Sequence, residues 1–199
     1  MKKLLVVKSS ILADNSQSSR LADLYAEAWL KANLDGEVSV RDLGAEPIPH
    51  LDGNTLGAWA TPAEEQTAEQ RELAQRSDLL IEEVMSADVI VIGMPMYNFG
   101  VPSSFKAWID HIARAGVTFR YTENGPEGLV KNTRAVVAAA RGGMYQGTPK
   151  DTQTVYLRDV LGFLGISDVE FAYAEGLAMG EEGAKIAIEA AERRLNELV

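Results

Sequence analysis

A chain of 199 residues, 46% hydrophobic and 24% charged, is long enough to bury one full core, and one globular domain spanning residues 1–199 is expected. A net charge of −10 without any basic cluster excludes a nucleic-acid binder, whose phosphate partner needs concentrated positive charge. With no cysteine, disulfides, thiolate metal sites and thiol nucleophiles are excluded, so any redox chemistry must belong to a bound cofactor.

The first apolar run, Leu4–Lys8, is too short for a membrane span or a secretory segment and reads as a buried strand of a cytoplasmic protein. Ser18–Asn33 follows as a helix, with Leu21, Leu24, Tyr25, Ala28 and Trp29 on one stripe. Glu37–Arg41 is a short strand, and Asp42–Trp59 is a Pro/Gly-rich connection of unusual length. Thr61-Pro62 opens a helix that runs to Met85, because proline suits a first helical turn. Asp88–Gly93 is a second all-apolar strand, followed by a helix over Pro102–Ala115. Ala135–Ala140 and Val169–Ala174 are strands, each followed by a helix, over Thr152–Leu164 and Glu181–Leu198. This is βα repeated five times. Strands that are apolar throughout predict an α/β fold, a doubly wound five-stranded parallel sheet with helices on both faces. In such a sheet ligands sit beyond the carboxyl ends of the strands, at the point where strand order reverses.

Three strand ends carry candidate chemistry. After the first strand, Ser10 and Ser16-Gln17-Ser18 place hydroxyls and an amide just before a helix, whose unpaired N–H groups and positive end seat a phosphate. Simple N-capping asks for the same residue types. The loop lacks the glycines and lysine of a triphosphate loop and the G-x-G-x-x-G of a dinucleotide fold. Asp14 has to point away from any phosphate there. After the third strand, Pro95 and Pro102 bracket Met96-Tyr97-Asn98-Phe99, a loop that proline keeps out of regular helix or sheet. It offers apolar surface and amide donors to a flat heteroaromatic ring, or else plugs the core with its aromatics. After the fourth strand, Ala140-Arg141-Gly142-Gly143 has paired glycines that allow positive φ and close approach to a flat ligand, or an ordinary turn.

The run Pro95-x-Tyr97-Asn98-Phe99, the second proline at 102 and Phe105-Lys106-x-Trp108-Ile109-Asp110 resemble the flavin loop of the flavodoxin-like quinone reductases. Lys8–Leu12 with Ser16–Ser18, Arg41–Leu43 with Pro47–Pro49, Ala113–Leu129 and Leu161–Ile166 narrow the resemblance to the FMN-dependent NADH-azoreductase family. The likeness runs through essentially the whole chain.

The resemblance implies a flavodoxin-like homodimer that binds FMN and takes electrons from NADH. It implies that Ser10, Ser16, Gln17 and Ser18 hold the phosphate, and that Pro95, Met96, Tyr97, Asn98 and Phe99 line the isoalloxazine. Ala140, Arg141, Gly142 and Gly143 approach its pyrimidine end, and Tyr121 and Phe163 wall the substrate site with help from a neighbouring subunit. Two positions depart from the family: Ala140 stands where relatives often carry serine, and Ala60 where one carries arginine. The implied reaction is two-electron reduction of quinones and reductive cleavage of azo compounds, with donor and acceptor using one site in turn. The sequence leaves NADH and NADPH both open as donor, although no arginine cluster awaits the 2′-phosphate that separates them.

No side chain is assigned as a catalytic acid or base. His50 sits in a proline-rich loop and His111 in a helix, and Tyr121 and solvent are equal candidates to protonate an acceptor. An electron carrier of the flavodoxin type shares fold and cofactor but has no need of the Asp42–Trp59 and Thr118–Leu129 excursions. An acyl-carrier-protein phosphodiesterase is the remote alternative. It requires Ser9 or Ser10 as nucleophile, yet no histidine follows a strand to act as base and no metal-ligand spacing occurs.

Overall fold

A computed structural model describes residues 1–199. Five strands form the parallel sheet: β1 (Lys3–Lys8), β2 (Glu37–Asp42), β3 (Val89–Pro95), β6 (Arg134–Ala140) and β7 (Val169–Ala174). Their spatial order is β2-β1-β3-β6-β7, so the chain starts near the centre, winds to one edge, and returns to wind to the other. That order is the flavodoxin-like one, with its switch point between β1 and β3.

Alternation along the strands feeds two cores. Leu5 and Val7 of β1, Ile90, Ile92 and Met94 of β3, and Val137 of β6 face α3 (Ala68–Ser86), α4 (Ser103–Ile112) and α5 (Thr152–Leu164). Leu4 and Val6, Val89 and Val91, and Val136 face α1 (Gln17–Ala32) and α6 (Glu181–Glu197). Tyr25, Trp29 and Leu195 fill that second layer, and Trp108, Phe105 and Leu161 fill the first. Gly93 lets α1 settle onto β3, since a Cβ there would stand 2.8 Å from the Ser18 carbonyl oxygen.

The strand and helix order matches the sequence reading, but three connections differ from it. Asp42–Trp59 is not all loop, because α2 (Gly53–Ala60) forms within it, capped by Asp52 accepting from Thr55 N at 2.8 Å. The next helix starts at Ala68 rather than Pro62. Thr67 and Gln70 close a reciprocal capping box there, and Pro62 sits in the preceding turn. Thr118–Leu129 holds an antiparallel ribbon of β4 (Phe119–Thr122) and β5 (Gly125–Gly128), with Gly125 at φ +109° beyond the turn. Smaller shifts occur at two ends: β3 runs on through Pro95, and α4 stops at Ile112.

Candidate functional site

The carboxyl ends of β1, β3 and β6 lie side by side, with Lys8 opposite Gly93 and Pro95 opposite Ala140. The three loops singled out in the sequence therefore meet. Ser9 Oγ donates to Gly93 O at 2.8 Å, Ser10 Oγ lies 3.1 Å from Tyr97 Oη, and Met96 N donates to Ala140 O at 3.2 Å.

At the start of α1 the Ser16 side chain accepts from Ser19 N at 3.1 Å, and its hydroxyl is 3.1 Å from that of Ser18. So the capping role is real. It leaves the Gln17 and Ser18 N–H groups without a partner, pointing out of the helix end as an anion seat requires. Asp14 is exposed on a 3₁₀ turn and has no bond into this seat.

The β3 loop is a tight reversal. Tyr97 and Gly100 exchange two backbone hydrogen bonds, 3.1 and 3.0 Å, around Asn98 (φ +51°) and Phe99 (φ +64°). Two consecutive left-handed non-glycine residues mark a type I′ turn, which ordinarily takes Asn-Gly. A phenylalanine in the second position costs about 1–3 kcal/mol and persists only where its surroundings hold it. They do. Thr152 Oγ1 donates to Phe99 O, Gln153 Nε2 donates to Pro95 O (2.8 Å) and Gly100 O (3.1 Å), and Phe99 meets the Tyr145 ring edge-on at 5.5 Å. The N–H groups of Asn98 and Phe99 and the Asn98 amide remain free.

The third loop departs from expectation in two ways. Neither Gly142 nor Gly143 has positive φ. A Cβ on Gly143 would stand 2.6 Å from Tyr145 Oη and make that ring shift, whereas one on Gly142 would meet only Ala178 Cβ at 3.4 Å. Arg141, expected with its neighbours at the ligand, turns away from it. Its side chain is fully buried, its N–H donates to Ala174 O at 2.9 Å, and its carbonyl accepts from Leu177 N at 3.1 Å. The carbonyls of Gly142 and Gly143 are likewise tied to Ala178 and Gly176, so the N–H groups of Gly142, Gly143 and Met144 are the ones left free. Exposed Ile11, Leu12, Phe99 and Met144 give the three loops an apolar rim.

Tyr121 and Phe163 sit elsewhere. Both rings pack on Phe119, at 5.6 and 4.4 Å, beside the C-terminal end of α5. The N-terminal end of α5 touches Phe99, and Phe163 lies eleven residues later, about 16 Å along the helix at about 1.5 Å per residue. Within one chain, 76%-exposed Tyr121 and half-buried Phe163 are thus displaced from the strand ends. His111 is buried, with Nε2 3.1 Å from Pro49 O and its ring edge-on to Trp59. Burial pulls its pKa below the usual histidine range, and it plays a packing part under α2. His50 is exposed. Sequence reasoning missed Thr152 and Gln153, although Asp151-Thr152-Gln153-Thr154 opens α5 with a recognisable cap: Asp151 accepts from Thr154 N at 3.1 Å.

The flavodoxin-like fold family matches residues 2–199. The chain is 53% identical over 197 residues to an FMN-dependent NADH:quinone oxidoreductase of Dechloromonas aromatica (strain RCB), covering 99% of both. It is 52% identical over 182 residues to that of Cellvibrio japonicus (strain Ueda107), covering 92% of both. Among solved structures, an azoreductase from Bacillus anthracis str. Sterne superposes with a TM-score of 0.90 at 26% identity, covering 100% of this chain and 98% of that one. An FMN-dependent NADH-azoreductase from Bacillus anthracis str. Ames Ancestor in complex with FMN gives 0.88 at 28% identity, covering 100% and 99%.

Proposed function

Because the chain belongs to the flavodoxin-like family and, within it, to the FMN-dependent NADH:quinone oxidoreductases, we propose that the three strand-end loops hold FMN and that NADH and the acceptor use one site there in turn. The observation that carries this reading is the set of free N–H donors on all three loops. Those of Gln17 and Ser18 suit a phosphate, with the Ser16 and Ser18 hydroxyls beside them and Ser10, bonded to Tyr97, proposed as a further contact. Those of Asn98, Phe99, Gly142 and Gly143 suit the polar edge of a flavin ring, with Met96, Tyr97 and Phe99 as its apolar bed.

FMN, once bound, would supply the two-electron chemistry between NADH and an acceptor: one round reduces a quinone, and two rounds, four electrons in all, cleave an azo compound to two aromatic amines. The chain's own residues seat the phosphate, hold the ring edge and leave one face open to a planar partner. The relatives' names specify NADH, and NADH is the donor we assign over NADPH. We place the reaction in the cytoplasm, where that nucleotide circulates, and read residues 1–199 as one domain. In support of the latter, the family match spans almost all of them. No helix is long and apolar enough to cross a membrane.

The displaced Tyr121–Phe163 pair supports a homodimer in which each chain walls the other's substrate site. Exposed aromatic surface of this kind marks an interface or a ligand site. Light scattering at micromolar concentration should report twice the chain mass, and an active monomer would contradict the shared wall. Steady-state rates measured at several quinone concentrations should give parallel double-reciprocal lines against NADH, as alternating use of one site requires. Intersecting lines would mean that donor and acceptor are bound together. A simple electron carrier of the same fold would show no sustained NADH oxidation with quinone.

A further inference from the structure

Arg141 carries no free polar group toward the strand-end site, yet it is the most heavily bonded side chain near it. Its guanidinium is wholly buried between Asp151 (2.9 Å) and Glu175 (3.0 Å), whose side chains are nearly buried themselves. Nε donates to Gln153 Oε1 at 3.2 Å, Nη2 donates to Thr154 Oγ1 at 3.3 Å, and the plane lies over Tyr173 at 5.0 Å. Burial alone would raise the Asp151 carboxyl. The hydrogen bonds from Arg141 and Thr154 outweigh it and hold the Asp151 carboxyl below its ordinary range.

One cation between two buried carboxylates is an expensive way to stabilise a fold, since apolar groups of similar volume serve as well or better. Such a network does fix geometry. From Arg141 the bonds run outward to each element behind the site. Gln153 turns its other end to the carbonyls of Pro95 and Gly100, the two sides of the strained Asn98-Phe99 turn. Glu175 accepts from Tyr145 N and Gln146 N, both at 3.0 Å, which sets the ring that meets Phe99. The Arg141 backbone itself pins the Gly142-Gly143 segment to the end of β7.

We propose that Arg141 is a positioning residue for the flavin ring: through Gln153 and Glu175 it locks the Pro95–Gly100 turn and the Gly142–Met144 segment into one geometry, so that their free N–H groups meet the ring edge together. This rests on the reading of the strand ends as the FMN site. Because the lock acts at the ring and not at the phosphate seat, its loss must weaken FMN and riboflavin alike.

The test titrates apoprotein with each flavin, following fluorescence quenching, and compares the visible circular dichroism of the bound ring. Arg141→Met and Gln153→Met are compared with Arg141→Lys, which keeps a charge but not the planar fork. Gln153→Met leaves both ion pairs in place and removes the whole link from Arg141 Nε through to Pro95 and Gly100, so it reports even if Arg141→Met fails to fold. The expected result is an affinity loss of about tenfold or more for both flavins in the two methionine variants, with the FMN-to-riboflavin ratio unchanged, altered dichroism and partial recovery in Arg141→Lys. Affinities within about twofold of wild type in Gln153→Met, or a loss confined to FMN, would overturn the positioning role. Failure of the underlying reading is seen separately and first: wild-type apoprotein that binds neither flavin removes the flavin site and the proposal with it, whereas equal binding of the two removes only the phosphate seat.

Discussion

The apoprotein is expected to bind FMN at least about 100-fold more tightly than riboflavin, the same ring without its phosphate. Gln17 and Ser18 present two backbone N–H groups with no partner at the positive end of α1, with the Ser16 and Ser18 hydroxyls alongside. Hydrogen bonds to a charged group contribute about 1.5–3 kcal/mol each, so two supply about 3–6 kcal/mol. At about 1.4 kcal/mol per tenfold, the preference is roughly 10² to 10⁴. FAD should bind more weakly than FMN, because its second phosphate and adenosine extend from the group that the seat encloses. Replacing Ser18 with aspartate sets a carboxylate against the phosphate and should bring the FMN-to-riboflavin ratio close to one. Titration of the two flavins against wild type and Ser18→Asp checks both statements, and equal wild-type affinities would show that Ser16 and Ser18 serve α1 alone.

Gly142→Val is expected to leave the apoprotein's melting temperature nearly unchanged while weakening FMN binding by roughly one to two orders of magnitude. The residue is exposed, its φ lies outside the left-handed region, and an added Cβ meets only Ala178 at an ordinary contact distance. The fold therefore has room for a side chain there. The proposed ring does not, and forcing branched carbons into a fitted site costs about 1–3 kcal/mol. Gly143→Ala should behave in the opposite way. Its Cβ collides with the Tyr145 ring and so disturbs Phe99 and the apoprotein itself. Thermal melts of the apoproteins beside FMN titrations separate the two. A large loss of apoprotein stability in Gly142→Val with intact affinity would make this glycine a turn residue only.

The sheet was legible in the sequence because buried parallel strands are apolar on both faces. Leu4–Val7, Val89–Ile92 and Ala135–Ala140 can be little else. Once the strands were placed, the site followed from topology: the loops that end β1, β3 and β6 had to meet. The parts that stayed hidden are those whose signal is local and easily masked. Gly53 and Gly57 disguise α2 as loop, although Asp52 caps it. Pro62 suggested a helix start that the Thr67–Gln70 capping box places six residues later. Asn124-Gly125 is a hairpin signal inside a segment read as loop. Arg141 is a different case. A charged residue beside paired glycines reads as exposed and ligand-facing, and only the long-range carboxylates at 151 and 175 show that it is buried. Likewise, no local pattern shows that Asn98 and Phe99 both adopt positive φ, because a distant Gln153 and Thr152 hold them there.

Successive use of a single flavin site by the nicotinamide and the acceptor is tested most directly by anaerobic stopped-flow spectroscopy of the FMN-loaded protein. NADH added with no acceptor present should bleach the flavin's visible absorbance in one half-reaction, and a quinone added afterwards should restore it, both at rates that account for turnover. If NADH alone leaves the absorbance unchanged, or bleaches it only when quinone is already present, alternating use of one site is contradicted.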